Sequence, residues 1–386
     1  MIEAYIKIFV RNTIRLLLHV FKFFPIKKGR ILFESYDGIR MACNPKYLYD
    51  YFKKNNSDKF EYVWALCDAE IVQGDETVKY VKMPSLKWIY YEMTSEVVIS
   101  NTRPKNIIPP RKKQTFIETW HAGGAYKEVG DNIKSLSKKQ RIIADWGQKR
   151  ENKRIDVFLS SSKVFTDFNI NKAHRYHGNV LNTGMPRNDI FFNEEERNKI
   201  CEKVKKEFGI KGKAVLYAPT WRSTDEKEEG FYVEEFDYSR LVRGLQESWG
   251  TDVVVLYRGH HWSNDVSLSD SIIDATNYPD MQELLCAVDA LITDYSSSIW
   301  DYSLAGKPSF LYVPDLNVYG DKLHGFFTPI EDWPGVICEN MDELVKEMCN
   351  INYEEHASKA KLHHIKMGSY EKGTACEEVL NYIKSL

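Results

Sequence analysis

Four short segments of the chain combine residue types that act on phosphate esters, and each directly follows an apolar run of strand length. The first, 119–127, reads Thr-Trp-His-Ala-Gly-Gly-Ala-Tyr-Lys. A histidine at a strand end, here His121, can take a proton near neutral pH. The glycines behind it, Gly123 and Gly124, let a backbone approach a ligand closely and offer N–H groups to an anion. The second segment, 218–222, ends on Arg222, whose planar guanidinium suits phosphate. The third, Tyr257-Arg258-Gly259-His260-His261, places an arginine and a histidine where an oxyanion or diphosphate needs a clamp. The fourth, 291–298, passes from a strand through Asp294, Tyr295, Ser296, Ser297 and Ser298 into a helix. Serine hydroxyls and unpaired N–H groups at a helix start form a ready phosphate site.

Other chemistries lack their residues. GxGxxG and GxxxxGK[ST] are both absent, which excludes the dinucleotide and P-loop fingerprints. There is no DxD for a metal-dependent sugar transferase. The pair His260-His261 has no acid beside it, and adjacent residues of an extended segment point opposite ways, so no metal site is expected there. His174 and His177 have HxxH spacing without a neighbouring acid and read as surface. His363 and His364 read as surface as well.

These segments need elements to hold them. The 386 residues include 43% hydrophobic and 13% aromatic side chains, enough for a sizeable core in two or three domains. A net charge of −2 argues against nucleic-acid binding. Seven scattered cysteines, an odd number without CxxC, fit thiols of a reducing compartment. Strands are expected at 30–35, 62–67, 78–82, 97–100, 115–120, 157–160 and 180–183. A second series follows at 214–218, 252–257, 290–293 and 309–313. Helix-length stretches between them indicate parallel βαβ units. The expected organisation is an α/β chain of two Rossmann-like domains facing a cleft, at 29–190 and 191–386, with a last helix able to cross back. Ligands of such sheets bind at the carboxyl ends of the strands.

Residues 1–28 form a separate leader. Lys7, Arg11, Arg15 and Lys22 recur on one side of a helix, and Ile, Leu, Val and Phe cover the rest. The pattern predicts a basic amphipathic helix lying in an anionic membrane surface, since a spanning helix would bury the charges.

Together, TWHAGGAYKEVG at 119–130, SSSKVFTDF at 160–168, NTGMPRND at 182–189, LYAPTWR at 216–222, YRGHH at 257–261 and the 280–315 run containing ITDYSSS resemble the CDP-glycerol glycerophosphotransferase family. The resemblance covers about residues 30 to 380. It implies a GT-B type fold, with acceptor bound to the N-terminal domain and donor to the C-terminal one. It further implies transfer of a polyol phosphate, with glycerol phosphate first in line, from a CDP-activated donor to a hydroxyl of a lipid-linked (undecaprenyl diphosphate) saccharide. CMP is released at the cytoplasmic membrane face, in teichoic acid or capsular polymer synthesis. The family's two catalytic histidines fall on His121 and His260. Donor diphosphate and nucleotide binding falls to Arg222, Arg258, Asp294, Ser296, Ser297 and Ser298. Gly123, Gly124 and Lys127 lie on the acceptor side. No cofactor is required, although Mg²⁺ can accompany a diphosphate. Three positions depart from the family pattern: Ala122-Gly123-Gly124 after the first histidine, His261 after the second, and His324 in a segment near the end. The competing expectations are a GT-B glycosyltransferase using a nucleotide sugar and a non-catalytic membrane-bound scaffold.

Overall fold

Long apolar runs with branched side chains become strands here because both faces of each sheet are covered. The computed structural model describes residues 2–56, 59–68, 78–129, 137–220, 236–259, 271–319 and 325–386. Two compact units emerge. One comprises 1–121, 129–189 and 370–386, the other 122–128 and 190–369.

The first unit holds β1 (Lys27–Glu34), β2 (Glu61–Leu66), β3 (Tyr80–Lys82), β4 (Ser95–Ser100), β5 (Thr115–Glu118), β6 (Val157–Leu159) and β7 (Asn179–Leu181). They form a parallel sheet in the order β3-β2-β1-β4-β5-β6-β7. The second unit holds β8 (Lys213–Ala218), β9 (Val253–Tyr257), β10 (Ile272–Asp274), β11 (Ala290–Thr293), β12 (Ser309–Tyr312) and β13 (Val336–Cys338). Its parallel order is β10-β9-β8-β11-β12-β13. Both sheets are doubly wound, and strand order reverses between β1 and β4 and between β8 and β11. These are the topological switch points, where such sheets bind ligands.

The principal helices are α1 (Ile2–Leu18), α2 (Cys43–Asn56), α3 (Leu86–Thr94), α4 (Lys138–Glu151), α5 (Glu194–Glu207) and α6 (Tyr238–Trp249). They continue with α7 (Met281–Ala287), α8 (Ser298–Ser303), α9 (Met341–Cys349), α10 (Tyr353–Met367) and α11 (Ala375–Lys384). Their ends are written in the sequence. Ser137 and Gln140 form a capping box on α4, Asn193 caps α5, and Gly250 closes α6 in the left-handed region.

Two segments lie apart from the linear domain division of 29–190 and 191–386. Residues 122–128 pack with the second unit, where the Glu128 N–H donates to the Gly325 carbonyl and Lys127 bridges Phe326. Residues 370–386 pack with the first. There Val379, Leu380 and Ile383 of α11 join Leu48 and Phe52 of α2 in the core around Phe33 and Trp64. Asp189 accepts from the first N–H groups of α11, at Ala375 and Cys376.

The leader is helical, but its orientation differs from a basic face meeting lipid. Arg15 turns inward and donates to the carbonyls of Asn106 and Ile108. Arg11 lies over the Trp146 ring, and Arg150 donates to Asn12. Burial lowers the Arg15 pKa, aided by the nearby charges of Arg150 and Arg154. Arg111 takes the carbonyls of Phe21, Lys22 and Phe24, closing the turn after α1. The apolar side faces out instead: Phe9 is 72% exposed, Leu16 71% and Phe23 89%. Among the described residues, no helix is long and apolar enough to cross a membrane.

Candidate active site

At the first switch point the chain leaves β1 through a left-handed turn, Tyr36, Asp37 and Gly38, with φ of 48°, 56° and 84°. Asn101, just past β4, reaches across: its Oδ1 accepts the Tyr36 N–H at 2.8 Å. β5 was expected to run to Trp120 but stops at Glu118. The reason is Trp120, whose φ of 53° no strand accommodates. That turn delivers His121. Its ring stacks on Trp120, with centroids 4.4 Å apart, and lies 6.0 Å from the Tyr36 ring.

His121 Nδ1 lies 2.9 Å from the Asn101 carbonyl oxygen. A carbonyl can only accept, so Nδ1 carries the proton and Nε2 keeps its lone pair. Crowding by protein lowers the His121 pKa, and the nearby Arg187 charge lowers it further. The Asn101 hydrogen bond and Asp37 act the other way. The residue is nonetheless exposed at its surface, so this is a ring crowded by protein yet reachable by water. A neutral imidazole with an open Nε2 is the form a general base requires.

At the second switch point the corresponding residues are Thr220, two past β8, and Asp294, one past β11. The Asp294 carboxylate accepts the Thr220 N–H at 2.9 Å and its hydroxyl at 2.9 Å. Arg258 follows β9, its N–H bonded to the Tyr217 carbonyl and its Nη1 to the Tyr278 carbonyl at 2.8 Å. Ser297 stands at the N-cap of α8 without a side-chain capping bond. Ser296 does the capping, its Oγ accepting from the N–H and hydroxyl of Ser298. Ser296 and Ser297 are half-buried and Ser298 is buried. Arg222 and His260 lie outside the described residues.

Gly123 and Gly124 are buried, and close packing explains them. A Cβ on Gly123 would lie 2.2 Å from Trp300, and one on Gly124 2.3 Å from Tyr126. Lys127 is half-buried beside Phe326. Among the described residues no group of three or more His, Cys, Asp or Glu side chains could hold a metal ion.

Two histidines expected at the surface are buried. His174 packs edge-on to Trp120, and burial pushes its pKa down to about 3. His363 Nδ1 donates to the Asp332 carbonyl, so its Nε2 accepts from the Tyr126 hydroxyl at 2.9 Å. Burial takes it down to about 4. Aromatic neighbours far away in sequence bury both, and HxxH or HH spacing carries no trace of them.

A sequence model described as CDP-glycerol:poly(glycerophosphate) glycerophosphotransferase matches residues 16–385. The chain belongs to this family. A teichoic acid glycerol-phosphate transferase of Staphylococcus aureus is 29% identical over 97% of this chain and 99% of its own length. A teichoic acid poly(glycerol phosphate) polymerase of Staphylococcus epidermidis is 30% identical over 87% of this chain, a match spanning 47% of the polymerase. Solved structures of the wall teichoic acid polymerase TagF align at a TM-score of 0.83 and 26% identity, covering 100% of this chain and 96% of that one. They include single-histidine variants, one soaked with CDPG. The two doubly wound sheets are thus of GT-B type. As a glycerophosphotransferase, the chain moves a polyol phosphate from a CDP-activated donor in teichoic acid synthesis.

Several residues of this glycerophosphotransferase escaped the reading of its sequence. Asn101 holds one turn by its side chain and orients His121 by its carbonyl. Lys105 sits between Glu34, at 3.1 Å, and Asp37. Arg187 places a positive charge beside His121. The available signal was weak: polar residues immediately after β1 and β4, without the glycines or histidines that marked the other loops.

Proposed function

We propose that the chain transfers glycerol phosphate from CDP-glycerol to a hydroxyl of a lipid-linked saccharide, releasing CMP at the cytoplasmic membrane face. The observation that carries this reading is the His121 imidazole, neutral at pH 7, with Nδ1 committed to Asn101 and Nε2 open. The acceptor hydroxyl gives its proton to Nε2 as its oxygen attacks the phosphorus bearing glycerol. The new P–O bond forms as the bond to the CMP oxygen breaks, and the electron pair leaves with CMP. Such a displacement depends on positioning and charge neutralisation.

The second unit serves the donor. Arg258 supplies positive charge from a guanidinium fixed on Tyr278, and Ser296 to Ser298 supply hydroxyls. Asp294 serves by holding the Thr220 turn, since a carboxylate beside a diphosphate would repel it. Arg222 and His260 keep the donor-binding and second catalytic roles that the family pattern gives them. Lys127 keeps the acceptor-side role that the family pattern gives it, while Gly123 and Gly124 serve the close packing on Trp300 and Tyr126. The reading includes no resident metal, and a diphosphate donor could carry Mg²⁺ with it.

The outward apolar side of α1 supports membrane anchoring. Ile2, Tyr5, Ile6, Phe9, Leu16 and Leu17 present one exposed stripe, and burying such side chains in the acyl boundary is favourable. Exposed Lys7 and Lys22 remain to meet anionic head groups. Replacing Phe9 and Leu16 by Glu abolishes sedimentation with phosphatidylglycerol vesicles if this is the anchor. Unchanged sedimentation refutes it.

The deciding experiment measures CMP release from CDP-glycerol and CDP-ribitol, beside a panel of nucleotide sugars, with a lipid-linked disaccharide acceptor. CMP from CDP-glycerol, lost in His121→Ala, is the expected result. Release of UDP or GDP from a sugar donor, without CMP, would replace the reading with a glycosyltransferase. EDTA followed by Mg²⁺ addition reads the metal dependence in the same assay.

A further inference from the structure

Trp120 occupies backbone space that a bulky side chain rarely adopts, and such strain persists only where the surroundings over-determine it. Here both of its peptide groups are held by buried side chains. Its N–H donates to Glu118 Oε1 at 2.9 Å. Its carbonyl accepts from Asn44 Nδ2 at 3.0 Å, and the same amide nitrogen lies 3.1 Å from the Thr119 carbonyl. Asn44 Oδ1 in turn accepts the Arg187 N–H at 3.2 Å. Glu118 and Asn44 are fully buried, at 0% exposure, and neither touches the His121 ring in a hydrogen bond.

We propose that Glu118 and Asn44 are positioning residues for the reaction: they clamp the Trp120 peptide in the left-handed turn that sets the His121 ring on the Asn101 carbonyl and leaves Nε2 for the acceptor hydroxyl. This rests on the reading of His121 as the base. It assigns Glu118 a neutral, protonated state. Its second oxygen, Oε2, is buried without a hydrogen-bond partner among the described residues, a poor place for a charge. Burial pushes the carboxyl up to about 8, against the lowering effects of the Trp120 N–H and Arg103, with Glu34 and Glu151 adding to the rise. The charged groups facing the clamp are therefore Arg103, Glu34 and Glu151 at Glu118, and Arg187 and Asp37 at His121.

The test compares Glu118→Gln, Glu118→Leu and Asn44→Ala in the full chain, by CMP release and by ¹⁵N NMR of the His121 imidazole. Gln keeps the acceptor oxygen, so kcat at pH 7 stays close to wild type. Leu removes the acceptor of the half-buried Trp120 N–H, and Ala removes the amide shared by the Trp120 and Thr119 carbonyls, so kcat falls about tenfold or more with KM for CDP-glycerol unchanged. A folded Leu variant with wild-type kcat overturns the proposal. If the Leu variant fails to fold, Asn44→Ala decides, by kcat and by the imidazole spectrum. The spectrum needs no turnover. Wild type and Gln hold the Nδ1–H tautomer, and Asn44→Ala mixes the two. Absence of CMP release with this NMR pattern intact would overturn the functional reading alone.

Discussion

The two switch points are built alike and finished differently. In each, the residue just past the neighbouring strand reaches over to the second residue past the first strand: Asn101 to the Tyr36 N–H, Asp294 to the Thr220 N–H. The first unit uses a neutral amide, and its main-chain carbonyl goes on to orient a histidine. The second uses a carboxylate, and its oxygens are taken up by Thr220. One topology thus yields a loop that aims a titrating ring and a loop that is simply held. Position in a doubly wound sheet nominates a residue for function, and the hydrogen bonds decide which function.

The largest contrast is between the two loops' central residues. His121→Ala lowers kcat about 10²–10⁴-fold while the Kd for CDP-glycerol, measured by calorimetry, stays within error. A His121→Ala enzyme that binds donor poorly and turns over normally would break the comparison. Asp294→Ala shows the opposite pattern. It removes the carboxylate that accepts the half-buried Thr220 N–H and hydroxyl, at about 1–3 kcal/mol, so donor KM rises roughly tenfold with little change in kcat.

Exchanging the finish sharpens the comparison further. Asn101→Asp puts a carboxylate on the residue whose main-chain carbonyl holds His121, a ring whose pKa burial already lowers. The charge favours the imidazolium, so the acid limb of the kcat profile moves about one unit up. An acid limb that stays in place would separate His121 from the titrating base. The smallest effect lies away from both loops. Tyr126→Phe removes a hydrogen bond to His363, costing about 1 kcal/mol and a few degrees of Tm, with no change in the pH profile.

Central strands such as β1, β4, β8 and β11 were legible because a parallel strand buried on both faces is a continuous apolar run. β10 and β13, three-residue strands at sheet edges, were not expected, although β3 and β7, equally short and also at edges, were. His121 and Arg258 were legible because a strand end marked them. The residues that aim His121 were not. Asn44 comes from α2, Glu118 from β5 and Asn101 from the loop after β4. No spacing joins three elements that meet only when folded. Burial of a polar group by distant aromatics is equally invisible, which is why His174 and His363 read as surface.

The placement of α11 has a consequence for biogenesis. A nascent chain emerges from the ribosome N-terminus first, and domains usually fold in that order. Here the sheet that emerges first lacks Val379, Leu380 and Ile383 from its core until those residues have cleared the exit tunnel. The second sheet, entire by residue 369, has everything it needs earlier. The half that carries His121 therefore matures after the donor-side half, and a ribosome stalled before residue 379 leaves the second unit folded beside an unfinished first one.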